Sequence, residues 1–231
     1  MRAHKTIYYL IAACFVLAFS LAADAADKTG PAVEIAAQPE APVGIVNFRL
    51  DPSNSGMIAF HYDVQNKSGQ GLLAVEVHWE AQTGEVSSTI SNRSDNWLSG
   101  QVAPDQSEHF QVSNVANFVR QPLTRLVGTI AYAELEDGTR FGTDAAQIGK
   151  QIDQARRAEA ASYAKLLDVF NSGGGDALAQ ALKQQSATHG QDPAVQEATG
   201  RLLGMLDDQG VDAVVKELQR VAVLSIPEAH P

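Results

Sequence analysis

Two histidines and two acidic residues alternate along one short stretch, and their side chains are of the types that bind metals. Residues 58–80 read IAFHYDVQNKSGQGLLAVEVHWE, with His61 and Asp63 before a glycine-containing connection and Glu76 and His78 after it. If the two halves pair as a β-hairpin, His61 lies opposite Glu76 and diagonal to His78. Imidazole and carboxylate groups suit zinc or a related transition metal. This spacing would allow a metal site formed by His61, Glu76 and His78.

The favoured interpretation of the same residues is the solvated face of a sheet. Phe60, Tyr62, Val75, Val77 and Trp79 alternate with the polar residues, and an apolar set at this period faces a core, where we expect Trp79 to be buried. Polar pairs are common on the solvated face of antiparallel strands. A shift of one residue in the pairing would also separate the proposed ligands. The metal site and the ordinary solvated face therefore remain as alternatives.

Sequence motifs of known catalytic centres are absent. The chain contains no Gly-x-Ser-x-Gly, His-Glu-x-x-His or Gly-x-Gly-x-x-Gly, and the glycines at 173–175 lack the Lys and Ser/Thr of a nucleotide loop. We therefore assign no catalytic residue and no cofactor. Trp97 lies in the turn-rich sequence SDNWLSG, where we expect partial exposure. It is the candidate for contact with a ligand or partner.

The first 25 residues have the features of a secretory signal peptide. Arg2 and Lys5 precede an apolar run over residues 7–21, and the small-x-small sequence Ala23-Asp24-Ala25 follows. The run is short for a membrane-spanning helix, which needs about 20 apolar residues. We therefore expect cleavage after Ala25, an exported protein in the periplasm or outside the cell, and no integral membrane domain after cleavage.

The one cysteine gives an alternative for the N-terminus. Ile11-Ala12-Ala13-Cys14 resembles a bacterial lipobox, although an apolar rather than a polar stretch follows it. Lipid anchoring at Cys14, or an uncleaved anchor, is therefore the less favoured alternative. Removal of the signal leaves no cysteine, which excludes thiolate catalysis and cysteine metal sites in the mature chain.

Charge and composition exclude one class of partner. The 231 residues are 45% hydrophobic and 19% charged, and the formal net charge is −10. The acidic excess is dispersed and no basic stripe occurs, so nucleic acid is not an expected partner. We expect the partner to be another envelope or secreted protein, and the sequence does not specify an oligomeric state.

The segment between residues 42 and 142 has the periodicity of an all-β domain. An Ala/Pro-rich stretch, 26–41, comes first and predicts a flexible tether. About seven short alternating runs follow, separated by turn signals that include Asp137-Gly138. This spacing predicts an Ig-like β-sandwich without the immunoglobulin cysteine pair.

Two segments of this region resemble a known family of domains. FHYDVQNKSGQGLLAVEVHWEAQTGEV, followed by LSGQVAPDQSEHF, is similar to exported bacterial Ig-like domains of the FxLYD type. The resemblance covers residues 44–142, and Pro104-Asp105-Gln106-Ser107 departs from the Pro-Gly-x-Ser of that family. It implies an exported accessory or binding module and supplies no catalytic residue.

From Thr143 the apolar residues recur at three- and four-residue steps, which predicts a helical domain over 143–225. One long helix would end at the Asn-Ser-Gly-Gly-Gly of 171–175, a second would follow Asp176, and Asp192-Pro193 is a strong start signal for a third. A fourth helix is expected over about 210–224, and residues 226–231 form a tail.

These observations predict an exported, envelope-associated binding or interaction module that is not an enzyme. The first alternative is a metal-binding protein or metal-dependent enzyme that uses the His/Glu cluster. The second is a binder of small ligands or glycans that uses Trp97 and neighbouring loops.

Overall fold

The computed structural model describes residues 31–51, 59–112, 123–188, 190, 192–224 and 226, which belong to one compact unit. The described residues form eight strands and three helices. The strands are β1 (Ala32–Ile35), β2 (Val43–Leu50), β3 (Phe60–Asn66), β4 (Leu72–Thr83), β5 (Val86–Asp95), β6 (Ser107–Val112), β7 (Arg125–Leu135) and β8 (Arg140–Phe141). The helices are α1 (Ala145–Ser186), α2 (Pro193–Gln209) and α3 (Val211–Ala222).

The strands form two sheets that are mostly antiparallel. The first sheet has the order β1-β7-β4-β5, with β8 also paired to β7, and the second has the order β2-β3-β6. Only the pairing of β1 with β7 is parallel among the strand pairs described. The predicted succession of an all-β part and a helical part is confirmed at this level.

Side chains of both sheets contribute to one apolar core. Alternate residues of β3 and β4 are buried because a strand directs every second side chain to the same face. Trp79 of β4 is fully buried. Its ring centroid lies 5.0 Å from that of Phe60 and 5.1 Å from those of Tyr62 and Phe48, all in the second sheet. The prediction of a buried Trp79 is confirmed.

The predicted hairpin between β3 and β4 is wrong. β3 pairs with β2 and β6, whereas β4 pairs with β5 and β7, so the chain passes from one sheet to the other between them. Asn66, which is fully buried, fixes this connection. Its side-chain amide donates to the carbonyl oxygens of Gln70 (2.8 Å) and Val102 (2.9 Å). The connection is therefore held by side-chain bonds and not by a strand ladder.

The predicted tether over 26–41 contains a strand. β1 pairs with β7 in register from Ala32↔Arg125 to Ile35↔Gly128, and all four of its side chains are exposed. The amide of Gln38 extends this attachment, because it donates to the carbonyl of Ile130 (3.0 Å) and accepts from the same residue's N–H (2.8 Å). Backbone and amide hydrogen bonds, rather than apolar burial, hold this segment.

The helical region has three helices where about four were predicted. The expected break within 171–175 is present as a single residue, Gly174, whose φ of 73° lies in the left-handed region that glycine adopts most readily. The chain resumes a helical course after it, so α1 continues to Ser186. Asp192 caps α2 by accepting from the N–H of Ala194 (2.9 Å), and Pro193 takes the first helical position as predicted.

The helices pack on the first sheet through one end of α1. Ile148 and Ile152 of α1 are buried against Ala74 of β4 and Tyr132 of β7. The three helices share a second apolar cluster that includes Tyr163, Leu182 and Leu218. None of the described helices combines the length and apolar character that a membrane span requires.

Candidate interaction site

β5 is a long, regular strand at the edge of the first sheet. Gly84, with a φ of 58°, and Glu85 form a two-residue turn between β4 and β5. The register then runs without a shift from Thr83↔Val86 to Ala74↔Asp95. Among the described residues β5 pairs with β4 alone. One side of this ten-residue strand is therefore left without a neighbouring strand in the described part of the chain.

The free backbone groups of β5 can be assigned from the hydrogen-bond alternation. In antiparallel strands, every second residue directs both N–H and C=O to the same neighbour. The N–H of Asn96 donates to the carbonyl of Leu73 (2.7 Å), so the even-numbered residues of β5 face β4. The odd-numbered Ser87, Thr89 and Ser91 therefore direct their backbone groups to the open edge, and their side chains are exposed.

The first seven residues of β5 lack the features by which proteins usually protect edge strands. Charged side chains, prolines, bulges and short length all discourage pairing with a further strand. Residues 86–92 read VSSTISN, with no charge, no proline and no register shift. Each other edge strand among the described residues shows one of these features: β1 and β8 have only four and two residues, β2 has a register shift at Val46/Arg49, and β6 carries Glu108.

A cavity of about 510 Å³ opens beside the last residues of β5. Its walls come from Arg93 and Asp95 of β5, from one face of α1, and from the first turns of α2. Three arginines line it, and each is paired with a carboxylate. The lining carboxylates are those of Asp95, Glu159, Asp192 and Glu197.

A buried ion network forms the floor of the cavity. Arg156 of α1 is 1% exposed and binds Asp95 with two of its nitrogens. Its Nη1 lies 2.9 Å from Oε2 of the fully buried Glu134, an ion pair without hydrogen-bond geometry. Arg140 joins Glu134 to Asp153, with contacts of 3.2 and 2.5 Å. These ion pairs connect α1 to β5, β7 and β8.

A second buried carboxylate, Glu76, is paired with Arg93, which lines the cavity. Arg93 Nε donates to Glu76 Oε2 (2.5 Å), and its Nη2 donates to Gln151 of α1 (2.9 Å). His78 Nε2 lies 2.7 Å from Glu76 Oε1. Glu76 and His78 therefore belong to the packing of α1 on the sheet.

An ion pair between Glu159 of α1 and Arg201 of α2 forms another part of the cavity wall. Arg201 Nη2 donates to Glu159 and, at 3.0 Å, to the Tyr163 hydroxyl. Burial raises the pKa of Glu159 above its ordinary value, and Arg201 offsets this only in part. Burial raises the pKa of Tyr163 as well. The charges of this wall are thus matched within the protein.

The expected exposure of Trp97 is wrong. Its side chain is only 7% exposed, because it packs in the apolar cluster that the three helices share. It nevertheless lines the cavity. Trp97 therefore acts first as a packing residue that attaches the end of β5 to the helices.

The residues of the predicted metal site are separated. His61 lies in the second sheet, whereas Glu76 and His78 lie in the first, because the hairpin on which the prediction depended is absent. His61 Nε2 contacts Asp51 Oδ2 at 2.8 Å, and its ring stacks on that of His109 with centroids 5.4 Å apart. Within the described ranges, no group of three His, Cys, Asp or Glu side chains is arranged to hold a metal ion.

His109 and Asp63 form a pair that the sequence pattern does not predict. β3 and β6 pair with Asp63 opposite His109, and His109 Nδ1 lies 2.7 Å from Asp63 Oδ1. A hydrogen bond from Asn47, followed in importance by that from His109, lowers the pKa of Asp63. The only available signal was alternation, which places these residues on one face but does not specify the pairing of two distant strands.

No known protein family matches the chain, and no curated protein matches it. Two solved structures show a distant likeness. One is the crystal structure of a Bordetella pertussis protein provisionally named ApaA, with 16% identity, a TM-score of 0.27, and coverage of 43% of this chain and 82% of that one. The other is a structural genomics target, SoR45, with 13% identity, a TM-score of 0.28, and coverage of 43% and 79%. TM-scores of this size do not establish a shared fold.

Proposed function

We propose that the protein is an exported, envelope-associated binding module without catalytic activity, and that its β5 edge accepts an extended polypeptide strand. The observation that carries the proposal is the regular register of β5 together with its uncharged, proline-free sequence from Val86 to Asn92. A strand of this kind is a ready template for pairing with another chain.

Strand addition explains how such an edge binds. An incoming segment forms main-chain hydrogen bonds with Ser87, Thr89 and Ser91, and these bonds supply affinity. Its side chains alternate between the two faces of the sheet, so neighbouring side chains of β5 supply selectivity. On the outer face it meets small hydroxyl side chains. On the inner face it meets Ile90, which is half-buried against the core.

The cavity extends this site at one end. A strand that pairs with the whole of β5 passes Arg93 and Asp95, both of which line the cavity. Arg156 and Arg201 are each paired with a carboxylate, so their guanidinium groups are held in place in the cavity lining. The cavity also favours a second candidate function, the binding of a small polar ligand over Trp97.

The proposal includes an Ig-like sandwich formed by the two sheets. Supporting it is the strand order: β2, β3 and β6 correspond to strands A, B and E of that fold, while β5, β4, β7 and β8 correspond to C′, C, F and G. A buried tryptophan on the strand corresponding to C, here Trp79, is also typical of it. The proposed export rests on the signal-like residues 1–25 of the sequence.

The test is a crosslinked pull-down from an envelope extract, with crosslinked peptides identified by mass spectrometry. We expect wild type and Thr89→Val to retain one partner polypeptide crosslinked to β5, because both keep the backbone N–H of residue 89. Thr89→Pro removes that N–H without breaking a bond to β4, and we expect it to lose the partner. Equal retention by Thr89→Pro, folded as judged by circular dichroism, would contradict strand addition.

A further inference from the structure

The β5 edge is complementary to itself. We propose that the strand it accepts is β5 of a second copy of this chain, paired antiparallel about a two-fold axis at Thr89. This inference rests on the proposed function and names the occupant of the same edge. Symmetric association of identical surfaces is the commonest form of oligomer.

The two-fold axis restricts the possible registers. In a symmetric antiparallel pair, each residue lies opposite the residue equally far on the other side of the axis, and opposite residues share a face. The odd-numbered residues have their backbone groups free, so they must form the hydrogen-bonded pairs. With the axis at Thr89, Ser87 lies opposite Ser91 of the copy, and Thr89 lies opposite its own equivalent.

Charges select this register among its neighbours. An axis at Thr89 brings Arg93 opposite Glu85 of the copy, twice by symmetry. An axis at Ile90 would instead bring Glu85 opposite Asp95, and like charges directly opposite each other are destabilising. Arg93 uses Nε and Nη2 for Glu76 and Gln151, whereas Nη1 has no hydrogen-bond partner among the described residues. That nitrogen is free to receive the carboxylate of the copy.

The cavity provides room for this arrangement. In the register centred on Thr89, the turn Gly84-Glu85 of the copy comes beside Arg93, where the space between β5 and the start of α2 opens. A single strand pair is smaller than the roughly 1,600 Å² of a standard stable interface, so we expect an association that depends on protein concentration.

Single-cysteine variants test the register directly. The chain has one native cysteine, Cys14, which is changed to Ser in all of them. In a hydrogen-bonded pair the two Cα atoms at position 89 lie about 5.5 Å apart, within disulfide range. We expect Thr89→Cys to form a disulfide dimer on mild oxidation. Ser87→Cys alone should not, because its equivalent lies four residues away, about 13 Å along the strand.

A mixture provides the matched control. Ser87→Cys and Ser91→Cys chains should each form no disulfide dimer alone and should form a mixed disulfide dimer together. Thr188→Cys, exposed at the end of α1, reports random collision. We expect wild type to form a dimer. In Thr89→Pro the dissociation constant of that dimer should rise at least about tenfold, which is a loss of at least 1.4 kcal/mol of binding free energy.

The outcomes separate the two proposals. A disulfide at position 89 no faster than at position 188, or a wild type that stays monomeric at high concentration, overturns the second copy as occupant. If such a monomer still retains another polypeptide that Thr89→Pro loses, the proposed function stands without this inference. If Thr89→Pro changes neither dimerisation nor retention, both are wrong.

Discussion

Arg156 of α1 donates two hydrogen bonds to Asp95, the last residue of β5, with Nε at 2.9 Å from Oδ2 and Nη2 at 2.7 Å from Oδ1. A bidentate pair of this kind fixes orientation as well as distance. Together with the bond from Arg93 to Gln151, it connects the helical region directly to the strand that we propose as the interaction site. Because the same guanidinium also faces Glu134, one side chain holds β5, β7 and α1 together.

Loss of Arg156 should therefore be costly. In Arg156→Met the buried Glu134 and the partly buried Asp95 lose a cation, and breaking a buried ion pair in this way costs about 3–5 kcal/mol. We expect a value at the lower end, because Arg140 still contacts Glu134. Arg157→Met is the matched control, because Arg157 follows Arg156 in the chain but has an exposed side chain. Equal urea midpoints for the two variants would contradict the network.

A glycine in β7 provides space for the central tryptophan of the core. A Cβ added at Gly128 would lie 2.6 Å from Cζ3 of Trp79. We expect Gly128→Ala to destabilise the protein by about 1–3 kcal/mol through overpacking. Gly200→Ala, in α2 with nothing within 4 Å of the new atom, should instead stabilise it by up to about 1 kcal/mol. Thermal unfolding of both variants measures the difference, and a tolerated Gly128→Ala would contradict the close contact.

Glu159 should produce a distinct dependence of stability on pH. Its pKa is raised by burial, so the folded state keeps this proton at pH values where the unfolded state has lost it. The contribution to stability is full below the ordinary value of 4.5 and is lost as pH rises through the higher pKa of the folded state. We expect the free energy of unfolding of wild type, relative to Glu159→Gln, to decrease over that range. If this relative free energy of unfolding increased with pH instead, the pKa of Glu159 would not be raised by folding.

Sequence patterns identified the elements better than their pairing. Alternation located β3 and β4 and the burial of Trp79, and the Asp192-Pro193 signal located the start of α2. Alternation specifies which side chains share a face, but not which strand lies beside which. For that reason His61 was assigned to Glu76, whereas its contact across the sheet is His109. β1 has no buried face, so no alternation marked it.

The buried ion pairs and the buried Trp97 beside β5 could not be predicted from the sequence for a related reason. Charged residues usually indicate positions that are exposed to solvent. Glu134 and Arg156 are nevertheless buried, because their opposite charges neutralise each other. Trp97 was expected in a loop because its neighbours are turn residues. Its burial depends on helices that follow some 60 residues later, and local sequence carries no information on such a contact.

The most direct test of the β5 edge is residue-resolved amide hydrogen exchange as a function of protein concentration. At low concentration we expect protected amides at Ser88, Ile90 and Asn92, which bond to β4, and rapid exchange at Ser87, Thr89 and Ser91. Raising the concentration, or adding the captured partner, should protect the second set alone. Two results would contradict the account. If those three amides are protected even at the lowest concentration, or if they stay unprotected at every concentration with the partner present, β5 is not an edge that accepts a strand.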